Sequence, residues 1–144
     1  MIGLDTNVLL RLGDDKEPVQ KAQAIALIRS SGAAGSYVNP IALTEFAWTL
    51  ARTYKLSRRE VADRIAIVLE AAEFVVAHAE QAELALGRYR AGPADFADYF
   101  LGEINRSEGC DATASFDGDA LKCADLFVPV PMLSRSNTIS RETP

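Results

Sequence analysis

Apolar residues along this chain form short runs separated by stretches with helical spacing, a pattern typical of strands that alternate with helices. The short runs predict strands at residues 2–4, 37–38, 74–77, 112–116 and 127–130. The spaced residues predict helices at 7–12, 19–28, 41–54, 79–89 and 96–107, another helix that begins at Ser57, and a helical turn at 117–123. This alternation predicts the α/β class, with a mainly parallel sheet of four to five short strands flanked by helices.

Length and composition predict one domain in the cytoplasm. The chain has 144 residues, the size of one ordinary domain. We expect residues 1–131 to form this domain and the polar residues 132–144 to be a tail outside it. The two cysteines lack CxxC spacing, which predicts reduced thiols. No apolar run reaches the roughly 20 residues of a membrane helix, and the N-terminus does not resemble a signal peptide.

The charge balance disfavours several classes of function. Fifteen Lys and Arg against twenty Asp and Glu give a net charge of −5, which argues against a protein that binds nucleic acid through bulk positive charge. His78 is the single histidine, so histidine-based triads and zinc sites with several histidines are disfavoured. The positions of the carboxylates therefore become the main question.

Acidic side chains recur where the predicted strands end or the next helices begin. Asp5 follows the first strand, and Glu45 lies one turn into the helix after the second. Asp95 and Asp98 open the helix at Phe96, and Asp117 and Asp119 follow the fourth strand. Because the carboxyl ends of parallel strands line one crevice, we expect carboxylates from these four places to lie together. Carboxylates held together repel one another, and oxygen-liganded Mg²⁺ or Mn²⁺ relieves that repulsion.

Each of these acids also has a purely structural explanation. Asp5, Asp95 and Asp117 would be good helix caps, and Asp98 suits the first turn of a helix, whose dipole favours negative charge. Glu45 stands in a mostly apolar helix, where a carboxylate is costly if it is buried and unpaired. A position on the solvent side of that helix would remove the cost.

Four segments that carry these acids resemble the PIN-domain ribonucleases, and within them the VapC-type toxins of bacterial toxin–antitoxin pairs. The segments are IGLDTNVLLR at 2–11, NPIALTE at 39–45, DFADYFL at 95–101 and SFD at 115–117. Their order and spacing are similar to those of the family from Met1 to about Pro131. The resemblance implies a PIN fold and cleavage of RNA phosphodiester bonds with Mg²⁺ or Mn²⁺.

The resemblance also implies roles for particular residues. The catalytic and metal-binding acids it carries over are Asp5, Glu45, Asp98 and Asp117. The supporting residues are Thr6, Asn7, Ser115 and Asp119. Asp119 is the alternative to Asp117 as the fourth acid, and Asp95 is the expected helix cap beside Asp98. The hypothesis is that a water molecule, whose pKa is lowered by bound metal, attacks the phosphorus atom.

A toxin of this type implies an RNA substrate, a cognate antitoxin and a homodimer, and no membrane partner is expected. Arg11 and Lys122 are the candidates for contact with RNA. The patch Arg52, Lys55, Arg58 and Arg59 is a further candidate, with an ordinary solvated helix junction as its alternative explanation. Trp48 and Tyr54 would anchor a dimer or an antitoxin segment, or would simply pack in the core.

Two other functions compete with that of a ribonuclease. A haloacid-dehalogenase-type phosphatase also has an Asp after its first strand, but its second Asp, two residues further on, is replaced here by Asn7. A catalytically inactive PIN-like binding module would keep the fold without the chemistry. The presence of all four acids argues against such a module.

Overall fold

A computed structural model describes residues 1–131, in which seven α-helices alternate with five short strands. The strands are β1 (Ile2–Gly3), β2 (Ser36–Val38), β3 (Phe74–Val76), β4 (Thr113–Ser115) and β5 (Phe127–Pro129). The helices are α1 (Thr6–Arg11), α2 (Pro18–Ser30), α3 (Pro40–Arg52), α4 (Arg58–Glu70), α5 (Ala79–Ala91), α6 (Phe96–Ser107) and α7 (Gly118–Leu121). The predicted α/β class and order of elements are confirmed. The predicted tail at 132–144 lies outside the described residues.

The strands form two parallel sheets rather than one continuous sheet. Strand β2 lies between β1 and β3 in the first sheet, and β4 pairs with β5 in the second. In the register of the first sheet, Ile2 stands opposite Ser36, and Ser36 stands opposite Phe74. Within residues 1–131 no ladder joins the two sheets. The strands have only two or three residues each, so each sheet has few hydrogen bonds and the helices carry most of the packing.

The core is built mainly by helices that pack around α6. Phe96, Tyr99 and Phe100 of that helix are almost fully buried. The rings of Phe96 and Phe100 have centroids 5.4 Å apart, and the ring of Tyr89 meets Phe96 edge-on at 6.3 Å. Burial of one such ring stabilises the fold by about 2–3 kcal/mol. This packing fixes the N-terminal end of α6, where Asp98 lies.

Arg58 fastens the start of α4 to the connection between α5 and α6. Its Nε donates to the carbonyl oxygen of Tyr89 at 2.8 Å, and its Nη2 donates to the carbonyl oxygen of Ala94. The guanidinium also lies 4.0 Å from the centroid of the Tyr89 ring, a cation–π contact. These contacts give Arg58 a structural role, which favours the helix-junction explanation of the basic patch over RNA contact for this residue.

Replacing Arg58 by Ala is expected to lower the free energy of unfolding by about 2–3 kcal/mol, because the carbonyl groups lose their donor and the cation–π contact is lost. Arg59 is the next residue and is exposed, so Arg59→Ala should change stability by less than about 0.5 kcal/mol. Urea unfolding followed by circular dichroism measures both variants. Equal stabilities of the two variants would show that the Arg58 contacts contribute nothing.

Other expectations from composition concern histidine, cysteine and membranes. His78 is exposed just before α5 and adopts φ 53°, which agrees with a strand-end position. Cys110 and Cys123 are free, as predicted. Among residues 1–131, no helix combines the length and apolar character needed to cross a membrane.

Candidate active site

The first acid, Asp5, lies between β1 and α1. It occupies the N-cap position of α1, but its side chain makes no capping hydrogen bond. The residue is exposed. The structure therefore gives Asp5 the place of a cap without its usual bond, and its carboxylate is left open to solvent.

The second acid, Glu45, is tied to the first acidic segment by a hydrogen bond. Thr6, which is only 7% exposed, donates through Oγ1 to Oε2 of Glu45 at 2.9 Å. Helix α3 presents Glu45 at this position because Asn39 caps it, with Oδ1 accepting from the N–H of Ala42 at 2.9 Å. Glu45 itself is exposed. Glu45 therefore lies on the solvent side of α3, so the cost of a buried carboxylate does not arise, and Thr6 holds its side chain in place.

The third segment separates the roles of Asp95 and Asp98. Asp95 is the N-cap residue of α6, as predicted, and its carboxylate forms an exposed ion pair with Arg52 at 3.3 Å. Asp98 accepts a hydrogen bond through Oδ2 from the backbone N–H of Asp95 at 3.3 Å. Asp98 is half-buried, so one of its oxygens is fixed by the start of the helix.

Asp98 and Asp117 lie close enough to influence each other. The pKa of Asp98 is raised above its usual value, first by burial and then by the negative charge of Asp117. The hydrogen bond from the backbone N–H of Asp95 opposes this and lowers the pKa, while the charges of Asp95 and Asp119 add smaller effects that raise it. Asp117 therefore acts on Asp98 more strongly than Asp119 does, which is consistent with Asp117 as the fourth acid.

The fourth segment holds Asp117 in a tight turn after β4. The backbone N–H of Asp117 donates to Oγ of Ser115 at 3.0 Å. In turn, Oδ1 of Asp117 accepts from the N–H groups of Asp119 at 2.8 Å and Ala120 at 3.1 Å. The expected capping role of Asp117 at α7 is therefore confirmed, and its Oδ2 takes no part in the cap.

The two basic residues expected to contact RNA both have protein partners. Arg11 donates through Nε to Gln20 at 2.5 Å and through Nη1 to Asp14 at 3.2 Å. Lys122 forms an exposed ion pair with Asp119 at 3.4 Å. Contact of Arg11 or Lys122 with RNA stays a prediction.

Phe116 is a residue of this region to which the sequence pattern assigned no special position. The predicted strand at 112–116 includes it, whereas β4 ends at Ser115 because the next backbone N–H turns back to the Ser115 hydroxyl. The Phe116 ring is 87% exposed. In the sequence, the only indication that Phe116 lies near the site is its position directly before Asp117.

The four acids thus fall into two linked parts of the structure. Asp5 and Glu45 are connected through Thr6, and Asp98 is electrostatically connected to Asp117. Asn7 lies exposed on α1 next to Thr6. No group of three or more His, Cys, Asp or Glu side chains among residues 1–131 is arranged to hold a metal ion.

The chemistry of these donors nevertheless fits a hard divalent cation. All four are carboxylates, and the hydroxyl groups of Thr6 and Ser115 stand beside them. Mg²⁺ usually takes only one or two protein carboxylates and completes its shell with water and phosphate oxygens. Asp98 and Asp117 supply two such carboxylates, and a bound cation would offset the negative charge of Asp117 that acts on Asp98.

The structure is an α/β fold whose carboxylates follow its strands. Comparison with known families identifies the particular family. The chain matches the PIN domain over residues 2–126. It therefore belongs to the PIN-domain family, whose members are generally nucleases that use divalent metal ions. No curated protein matches the chain. The family expected from the four acidic segments is confirmed, and membership of the VapC-type toxins stays a prediction.

Proposed function

We propose that this protein is an endoribonuclease that cleaves RNA phosphodiester bonds with Mg²⁺ or Mn²⁺. The observation that carries the proposal is the pair Asp98 and Asp117. Backbone N–H groups at the starts of α6 and α7 fix one oxygen of each carboxylate, and the negative charge of Asp117 raises the pKa of Asp98. A bound divalent cation would offset this repulsion. Membership of a family of nucleases supports the same reaction.

The protein residues have distinct parts in this proposal. Asp98 and Asp117 would hold the cation, with Asp5 and Glu45 as further carboxylates facing the substrate or a second ion. Thr6 fixes the orientation of Glu45 through its 2.9 Å hydrogen bond, and Ser115 fixes the turn that carries Asp117. When bound, a divalent ion supplies a water molecule of lowered pKa and stabilises the leaving oxygen.

A cleavage assay on a mixed RNA pool tests this function directly. The full chain is incubated with single-stranded RNA of random sequence in Mg²⁺, in Mn²⁺ and in EDTA, and the ends of the products are mapped. We expect internal cleavage with either metal and none in EDTA. Cleavage that is equally fast in EDTA, or release of single nucleotides from the RNA ends, would contradict the proposal.

We further propose that the protein is the toxin of a toxin–antitoxin pair, of VapC type, in the cytoplasm. The resemblance of its four acidic segments to those toxins supports this role. Induction of the wild-type chain should arrest cell growth, and co-expression of the product of the neighbouring upstream gene should restore it. Growth arrest by an Asp5→Asn variant at the same protein level would show that RNA cleavage is not its cause.

A homodimer is the expected assembly of such a toxin, and the exposed indole of Trp48 supports a protein contact on α3. This side chain is 55% exposed, and Trp is enriched among residues that dominate interface energies. The wild type should sediment as a dimer at micromolar concentration, and Trp48→Ser should weaken association at least tenfold or so. Leu84 on α5, which is also about half exposed, provides the control Leu84→Ser. A wild-type monomer would contradict the dimer.

A second candidate function is a PIN-like binding module without catalytic activity. The lack of a group of three metal-binding side chains among residues 1–131 favours it. Calorimetric titration with Mn²⁺ separates the two functions, because the nuclease should bind the ion and lose binding in Asp98→Asn. The haloacid-dehalogenase alternative has lost its basis, since the chain belongs to the PIN-domain family.

A further inference from the structure

Phe116 stands out among the apolar side chains of the described residues. It is 87% exposed, more than any other large apolar side chain in residues 1–131. By contrast, Phe46, Phe96, Phe100 and Phe127 are each at most 4% exposed. The ring of Phe116 therefore adds little to the core, and its position needs another explanation.

The backbone on both sides of Phe116 is held in place. Before it, Oγ of Ser115 accepts from the N–H of Asp117 at 3.0 Å and closes the turn around Phe116. After it, Oδ1 of Asp117 caps α7 by accepting from Asp119 and Ala120. The ring is thus carried on a fixed turn, directly next to an acid of the proposed cleavage site.

The charge around Phe116 restricts what can contact its ring. Asp98, Asp117 and Asp119 make this part of the surface acidic, and Lys122 offsets only the charge of Asp119, at 3.4 Å. The net negative charge disfavours direct contact with a phosphate backbone. The face of a nucleobase is uncharged and stacks well on an aromatic ring. A stacked base next to the cleaved phosphate would hold the RNA through an uncharged contact, while a bound divalent cation would offset the charge of the phosphate itself.

We propose that Phe116 stacks on an unpaired nucleobase beside the scissile phosphate and in this way positions the RNA strand at the acids. This inference rests on the proposed ribonuclease function. Every base has a π-face, so stacking alone gives little sequence preference. A duplex keeps its bases paired and stacked on one another, so this contact needs a base that is free of its partner.

Fluorescence of a base analogue tests stacking separately from cleavage. The probe is a seven-nucleotide single-stranded RNA with 2-aminopurine at its centre, mixed with the full chain in Ca²⁺, and gel analysis verifies that it stays intact. The wild type should change the fluorescence on binding. Phe116→Leu should weaken binding by about 5- to 100-fold, while Phe116→Tyr and Phe116→Trp should bind within about threefold of the wild type.

The exposed apolar residue Leu84, far along the chain on α5, gives the matched control. Leu84→Ala should bind the probe like the wild type, and circular dichroism verifies that all variants are folded. In cleavage assays Phe116→Leu should raise KM with little change in kcat.

Three results separate the possible failures. Equal probe binding by the wild type and Phe116→Leu would overturn the stacking role, even if the protein cleaves RNA. Loss of self-association in Phe116→Leu without weaker probe binding would assign the ring to a protein interface and also overturn it. If the wild type cleaves no RNA but the variants keep the expected order of probe binding, the proposed function fails and the stacking contact stands.

Discussion

Replacing Asp98 by Asn is expected to slow RNA cleavage at least 100-fold or so, while Asp95→Asn leaves the rate within about threefold. The amide introduced in Asp98→Asn keeps an oxygen that can accept from the backbone N–H of Asp95, as Oδ2 does at 3.3 Å in the wild type. Helix α6 should therefore still form, and the change removes mainly the charge that would hold a cation in the proposed site. Asn is also a good N-cap, so Asp95→Asn loses little beyond its exposed pair with Arg52.

Single-turnover cleavage at saturating Mg²⁺ measures this difference between two neighbouring acids. The same comparison applies to Asp117→Asn and Asp119→Asn, where the larger loss should fall on Asp117. If Asp98→Asn cleaves RNA as fast as the wild type, Asp98 is not part of the catalytic site. If Asp119→Asn lowers the cleavage rate more than Asp117→Asn does, Asp119 is the fourth acid of the site.

The second large effect is expected from Arg88, which is the partner of a buried carboxylate. Glu103 is only 2% exposed, and it accepts from Nε of Arg88 at 2.7 Å. Replacing Arg88 by Met leaves the Glu103 charge buried without that partner. The free energy of unfolding should fall by about 3–5 kcal/mol, as is typical when one member of a buried pair is removed.

The double variant Arg88→Met/Glu103→Leu should recover most of this loss, because apolar replacement of a whole buried pair is often nearly neutral. Asp125→Asn is the matched control: Asp125 also pairs with Arg88, at 2.7 Å, but its side chain is 60% exposed. That variant should lose less than about 1 kcal/mol. Urea unfolding at pH 7 compares the three proteins, and no recovery in the double variant would show that buried charge is not the cause.

The same cluster gives a pH signature. Hydrogen bonds from Arg88, then from Cys123 and Arg106, hold the pKa of Asp125 well below its usual range. Because the folded state favours the charged form, this stabilisation is present above the ordinary aspartate pKa of about 4 and is lost as the pH falls below it. The free energy of unfolding of Asp125→Asn should therefore be lower than that of the wild type at pH 7, and the difference should shrink as the pH falls into the acid range.

Local signals explain why much of the fold could be predicted. The Ser57–Glu60 capping box is present and starts α4, and Gly109, with φ 93°, follows the end of α6. Asp95 is the N-cap residue of α6, and its backbone N–H donates to Asp98 at 3.3 Å. The predicted bounds 96–107 are those of the structure. Each of these depends on residues a few positions apart, which a sequence displays directly.

Contacts between distant residues explain what could not be predicted. Glu103 has the appearance of a solvent-facing helical residue, and its burial follows from Arg88, which comes from another helix. The exposure of Glu45 likewise depends on how α3 packs and on a hydrogen bond from Thr6, 39 residues earlier. The four segments predict which acids belong to the site, and that assignment stays a prediction, whereas the arrangement of these acids in two linked parts depends on tertiary packing.

The caps at α6 and α7 also limit how the acids can bind a cation. Oδ1 of Asp117 already accepts two backbone N–H groups, and Oδ2 of Asp98 accepts one. Each carboxylate thus keeps one oxygen free of backbone bonds, which favours monodentate coordination. Ca²⁺ often takes carboxylates through both oxygens, whereas Mg²⁺ demands a compact octahedron of single oxygen atoms. In the proposed metal site, the helix caps would therefore favour Mg²⁺ over Ca²⁺, because they leave one oxygen per carboxylate free of backbone bonds.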